Sequence, residues 1–169
     1  MMISVHYKNI LSSIFMGLWI LQSAIAQSRL ERASSFIDLL SNNSIQSMNA
    51  ALLAKGFVID KSVDKKDDTL FSYILKTDSK EKIHVLFEKE SSGQHKSIPT
   101  IHYWPSVSNS YFALKEEITK QEGYKLKNVE SEKKQILSVY QKDSTIVVFG
   151  MSNNIKKANY KIVFMREEK

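Results

Sequence analysis

The sequence predicts an α+β domain: a tandem αββββ repeat that forms one antiparallel sheet with helices packed on one face. Three observations predict it. Helical apolar spacing is followed by a run of short strands, and this happens twice. Each helix closes on a glycine and an aromatic, Gly56-Phe57 and Gly123-Tyr124. Each glycine is followed 17 residues later by a strand tyrosine, Tyr73 or Tyr140. Self-similarity at a fixed spacing is the mark of a repeated supersecondary unit.

Residues 1–26 are expected to be a cleaved leader. They carry a short basic start with His6 and Lys8, an apolar run from Ile10 to Leu21, and the small-x-small site Ala24-Ile25-Ala26. The run is shorter than the ~20 apolar residues that cross a bilayer. Cleavage after Ala26 would leave residues 27–169 as one domain with no stable membrane span, made of units at about 35–105 and 108–166. The chain has no cysteine, so it must fold on packing alone. A cysteine-free exported chain fits a secreted or periplasmic bacterial protein.

The first unit opens with Phe36, Ile37, Leu39 and Leu40, read as a helical turn. Ser44 is the expected N-cap of the next helix, its hydroxyl accepting from a first-turn amide. Ile45, Met48, Ala51 and Leu52 then share one helix face. Gly56 ends the helix, because glycine enters the left-handed conformation without cost to a side chain. Phe57-Val58-Ile59 begins a strand, and Asp60–Asp68 reads as a charged turn. Its aspartates Asp64, Asp67 and Asp68 lack the alternation, central glycine and final glutamate of a calcium loop. Thr69–Lys76 and Lys82–Lys89 are paired strands around the turn Thr77–Lys80. Ser97–Trp104 is a fourth strand, closed by Pro105.

The second unit opens on a capping cluster, Ser108-Asn109-Ser110. Tyr111, Leu114, Lys115 and Ile118 share one helix face, with Phe112 beside it and Glu116, Glu117, Lys120 and Glu122 toward solvent. Tyr124–Val129 is a strand and Glu130–Lys134 a charged turn. Gln135–Gln141 and Thr145–Met151 are paired across Lys142-Asp143-Ser144, and Asn159–Met165 is the last strand. Short polar turns between neighbours favour antiparallel pairing.

No residue set points to catalysis, a cofactor or a metal. His84 and His102 fall in strands that could be neighbours, but zinc wants three or four ligands. No serine sits in a nucleophile elbow, and the glycines are isolated rather than gathered in a phosphate loop. The leader holds one lysine and no acid, so the mature chain carries 23 basic against 18 acidic groups. Lys65-Lys66, Lys133-Lys134 and Lys156-Lys157 fall in expected turns, interleaved with acids, which is not a nucleic-acid footprint.

The strands are apolar on both faces. Val147, Phe149 and Met151 oppose Ile146 and Val148; Phe71, Tyr73 and Leu75 oppose Leu70 and Ile74. Two helices cover one face of such a sheet, so part of the other must be covered by sheet curvature, by the Phe36–Leu40 segment, by a second copy or by a partner. The expected function is therefore a non-catalytic, envelope-associated or secreted binding protein. Tyr103, Trp104, Ile146 and Val148 are the candidate partner-binding residues, Trp104 because tryptophan is enriched in binding hot spots. The alternatives are a structural homodimer and a secreted enzyme with its pocket between the units.

The two helix–Gly–aromatic junctions and the hairpins after them give residues 44–166 a layout that resembles β-lactamase inhibitor proteins and similar small envelope proteins. The resemblance is one of architecture and implies a secreted domain that offers a concave sheet to a protein partner. Those inhibitors contain disulfides and this chain has no cysteine, so no functional residue is carried over.

Overall fold

A computed structural model describes residues 30, 32–42, 44–64, 68–88, 98–121, 123–132, 134–152 and 159–167. The expected leader, the Lys65–Asp67 part of the first charged turn, the Ser91–Lys96 loop and the Asn153–Ala158 turn lie outside them. The elements are helices α1 (Ala33–Leu39) and α2 (Ile45–Ala54), strands β1 (Phe57–Asp64), β2 (Asp68–Leu75), β3 (Asp78–Glu88) and β4 (Thr100–Trp104), helix α3 (Ser108–Glu116), and strands β5 (Lys125–Glu132), β6 (Gln135–Lys142), β7 (Thr145–Ser152) and β8 (Tyr160–Arg166). All eight strands form one antiparallel sheet in the order β1-β2-β3-β4-β8-β7-β6-β5. Among the described residues no helix is long and apolar enough to cross a membrane.

The local signals of the first unit are met. Ser44 caps α2, its side chain accepting from the Ser47 amide. Met48 and Leu52 are buried on that helix, with Ile45 and Ala51 packed beside them. Gly56 and Gly123 both take left-handed backbone, φ 86° and 70°, where a Cβ would collide with the following carbonyl.

Several details differ from expectation: Asp78–Lys80 of the expected turn Thr77–Lys80 already belong to β3, and Glu130–Glu132 of the expected turn Glu130–Lys134 still belong to β5. Strand β1 runs on through Asp60–Asp64, well into the stretch read as a turn, and every residue from Ile59 to Asp64 is exposed. This is an edge strand, so its outer residues need not be apolar. Helix α3 is capped by the backbone at Val107 with no side-chain bond, and Ser108–Ser110 sit inside its first turn. The helix continues as a π-helical turn over Glu117–Gln121. There Glu117 is half-buried, its Oε2 accepting from the Ala33 amide at 3.0 Å, so Glu117 ties α1 to the end of α3.

Cross-strand partners share a sheet face. One row of partners runs Ile59–Tyr73–Ile83–Tyr103–Ile162–Phe149–Ser138–Val129 across all eight strands. Its central members, Tyr73 to Phe149, are fully buried. The helices contribute to that core through named contacts. Phe36 stacks on Phe164 with ring centroids 4.5 Å apart and tilts against Tyr103 at 4.8 Å. Tyr111 meets Phe149 edge-on at 5.6 Å and Tyr160 at 4.8 Å. The Tyr73 hydroxyl donates to Asn49 Oδ1, and burial pushes its pKa up to about 12. Burying one such ring is worth roughly 1.5–3 kcal/mol.

Strand β1 and strand β5 form the two edges of the sheet. Each is bulged, between Ile59 and Lys61 and between Leu126 and Asn128. Each also carries charged residues among its exposed apolar ones, such as Asp60 and Lys61 beside Ile59, or Lys125 and Lys127 beside Leu126. Bulges and charges are the devices that stop edge strands from pairing with other chains.

Candidate binding face

Because side chains alternate along a strand, the row next to the buried one faces the opposite way. It runs Ser72–His84–His102–Val163–Val148–Val139 across six strands. One step along the strands, the same face carries Ile74, Lys82 and Trp104 as successive partners in the first half, and Lys161, Gly150 and Leu137 in the second. Ser72, Val163 and Gly150 are buried; most of the rest are half-exposed and Lys82 is exposed.

His84 and His102 are direct cross-strand partners. Both rings pack against Trp104, His84 at 4.5 Å between centroids and tilted, His102 at 5.9 Å and nearly parallel. The Lys161 ammonium lies over the same indole, 5.3 Å from its centroid. A cation over an aromatic face is attracted by the ring's negative quadrupole. Burial pulls the His102 pKa down to about 4, with Lys161 and His84 adding repulsion. Burial also lowers His84, helped by Lys61, Lys82 and Lys161 and opposed by Asp60. Burial lowers Lys161 too. Both imidazoles are therefore neutral near pH 7, and the positive charge of this face resides on its lysines.

Trp104 stands between two depressions. One, of about 520 Å³, is lined by Asp60, Lys61, Ser72, Lys80, Lys82 and His84 together with Pro105, Ser106 and Ser108. The other, of about 240 Å³, is lined by Lys134, Gln135, Gly150, Ser152 and Lys161. Trp104, Asn159 and Tyr160 line both. Among the described residues that line them are five lysines and one acid, Asp60. No ion pair of Lys61, Lys80, Lys82, Lys134 or Lys161 occurs among the described residues.

Of the candidates expected from sequence, Trp104, Ile146 and Val148 lie on this face. Val148 is partnered by Val163 and Val139, and Ile146 by Met165 and Gln141. Tyr103 does not. It is buried on the other side, with its ring against Phe36 and its hydroxyl donating to Glu81 Oε1 at 2.9 Å. Tyr103 precedes Trp104 in the same strand, and adjacent strand residues point apart. Apart from Lys134, the lysines of this face do not belong to the Lys-Lys pairs of the expected turns. The strand KIHVLF held the signal: Lys82 and His84 alternate with Ile83 and Val85, so they share a face.

Among the described residues no group of three or more His, Cys, Asp or Glu side chains could hold a metal, and two imidazoles alone fall short of a zinc site. Asp60, Ser72, Ser106, Ser108 and His84 share the larger depression, yet among the described residues His84 makes no hydrogen bond to any of them. The chain matches no protein-family model, no curated protein and no solved structure, so the reading of this face rests on its own geometry.

Proposed function

We propose that this protein is an exported, non-catalytic binding or envelope-associated protein that receives a protein partner on the sheet face bearing Trp104, His84, His102 and Val148. One observation carries the reading. Trp104, His84, His102, Val139 and Val148 are half-exposed on this face, with Trp104 lining two depressions, while the central members of the opposite row, Tyr73 to Phe149, are fully buried. Half-exposed apolar and aromatic surface of this kind is what interfaces use as anchors.

The reading includes two similar units with helices on the buried side, the architecture that resembles β-lactamase inhibitor proteins. The registers support it. Every β1–β2 pair from Val58↔Ile74 to Asp64↔Thr69 has a β5–β6 counterpart 67 residues later, from Lys125↔Gln141 to Ser131↔Ile136, bulge included. Across the seam, Ile101↔Phe164 and Tyr103↔Ile162 exchange under the two-fold that centres on His102↔Val163. By that correspondence, His84 and Lys82 occupy the places that Val148 and Ile146 hold in the second unit. The face is thus cationic and aromatic in one half and aliphatic in the other.

The test uses the chain from Gln27 to Lys169, which has no cysteine. Light scattering should give a monomer at rising concentration. A photo-crosslinker on Val148→Cys should then capture an envelope partner that the same label on Phe112→Cys, an exposed position of α3, does not. A stable dimer that shields position 148 would overturn the reading, because the face would be occupied by a second copy.

A further inference from the structure

We infer that the two depressions flanking Trp104 receive an acidic segment of the partner, its carboxylates meeting Lys61, Lys82 and Lys161 and an apolar side chain between them resting on the indole. This rests on the binding reading above and names the chemistry of the occupant.

Charge complementarity selects it. Among the described residues five lysines and a single acid line the two depressions, and no ion pair of these lysines occurs among them. A patch of one sign attracts and orients a partner of the other. The cationic groups are ammoniums, four on strands β1, β3 and β8 and Lys134 in the turn before β6, with no arginine among the described lining residues. Lysine acts as a point charge and lacks the planar fork that grips phosphate in two places. Separate lysines suit separate carboxylates along a chain better than one phosphate group. The two spaces, about 520 and 240 Å³, lie on either side of one indole. That divides an occupant into two parts across an aromatic ridge, as an extended segment allows. Beyond the ridge the face turns aliphatic at Val148, Val139 and Leu137, so a segment mixing acids with apolar residues is matched along its length.

Trp104 reports on its own site, because the other tryptophan, Trp19, precedes Gln27. The probe is a synthetic hexapeptide of glutamates with a central leucine, titrated against residues 27–169 by tryptophan fluorescence and calorimetry. Its all-glutamine analogue, inorganic phosphate and phosphatidylglycerol vesicles are the comparisons. The acidic peptide is expected to shift Trp104 emission and bind roughly tenfold or more tightly than the glutamine version, with affinity falling as salt rises. Lys82→Glu and Lys61→Glu should each weaken it severalfold. Lys120→Glu, on the solvated end of α3, should leave it unchanged. Equal binding of the two peptides would overturn the inference. Tighter binding of phosphate or vesicles would overturn it too, in favour of a free phosphate or a lipid headgroup. If position 148 still crosslinks a partner when the acidic peptide is ignored, the acidic occupant is lost and the binding face stands. A dimer that shields position 148 removes both.

Discussion

Phe36→Ala probes the centre of the fold. Strands β4 and β8 join the two halves of the sheet through three matched residue pairs, against eight between β6 and β7. Phe36 lies over that seam, fully buried, with one ring contact to Tyr103 of β4 and one to Phe164 of β8. Truncating a buried phenylalanine to alanine costs about 3–5 kcal/mol through lost transfer energy and the cavity left behind. Each aromatic contact is worth ~0.5–1.5 kcal/mol beyond its area, which places this substitution near the top of that range. A domain holds only about 5–15 kcal/mol in total. Urea unfolding followed by circular dichroism is the assay. With a slope of ~1–3 kcal/mol per molar, the midpoint should fall by roughly 2 M. Phe112→Ala, at a residue that is 49% exposed but has edge-on ring contacts to Tyr111 and Tyr160, serves as the comparison and should cost about 1–2 kcal/mol. If Phe36→Ala costs no more than Phe112→Ala, the seam is not held by this ring and the reasoning fails.

Acid should destabilise the fold through His102. The unfolded chain takes up its proton near pH 6.5 and the folded chain only near 4, so this contribution is complete above pH 6.5 and is lost as the pH falls toward 4. The ceiling is about 3 kcal/mol, less in practice because the ring is only partly buried. His102→Gln should flatten the stability–pH curve in that window, and an unchanged slope would refute the assignment. Gly56→Ala and Gly123→Ala should each cost about 1–2 kcal/mol from left-handed strain alone. An added Cβ meets only Leu75 Cδ1 at 3.7 Å in the first and nothing within 4 Å in the second. A neutral Gly123→Ala in thermal unfolding would sink that account.

The elements were legible because their signals are local. A serine cap, a three- and four-residue apolar spacing and a glycine stop define α2. Alternation in β3 and β7 separates Ile83, Val85, Val147 and Phe149 from His84 and Val148 on each strand. Where a rule depended on a neighbour, the sequence misled. Asp60–Asp64 looked like a turn because edge strands do not need apolar faces, and Glu117 looked solvated because its partner, the Ala33 amide, lies 84 positions away. Composition and periodicity thus determined by themselves the α+β class, the strands and which residues alternate across them.

The tertiary structure alone decided which strands meet. The pairing of β4 with β8 brings Lys161 over Trp104 from another part of the chain, and the β3–β4 register sets His84 beside His102. Pairing and register also assign each alternating row to the buried side or the open one, which is why Tyr103 and Trp104, adjacent in sequence, end in opposite environments. A strand's own sequence specifies its two faces, but the cost of burying one of them is settled by what the rest of the chain lays against it.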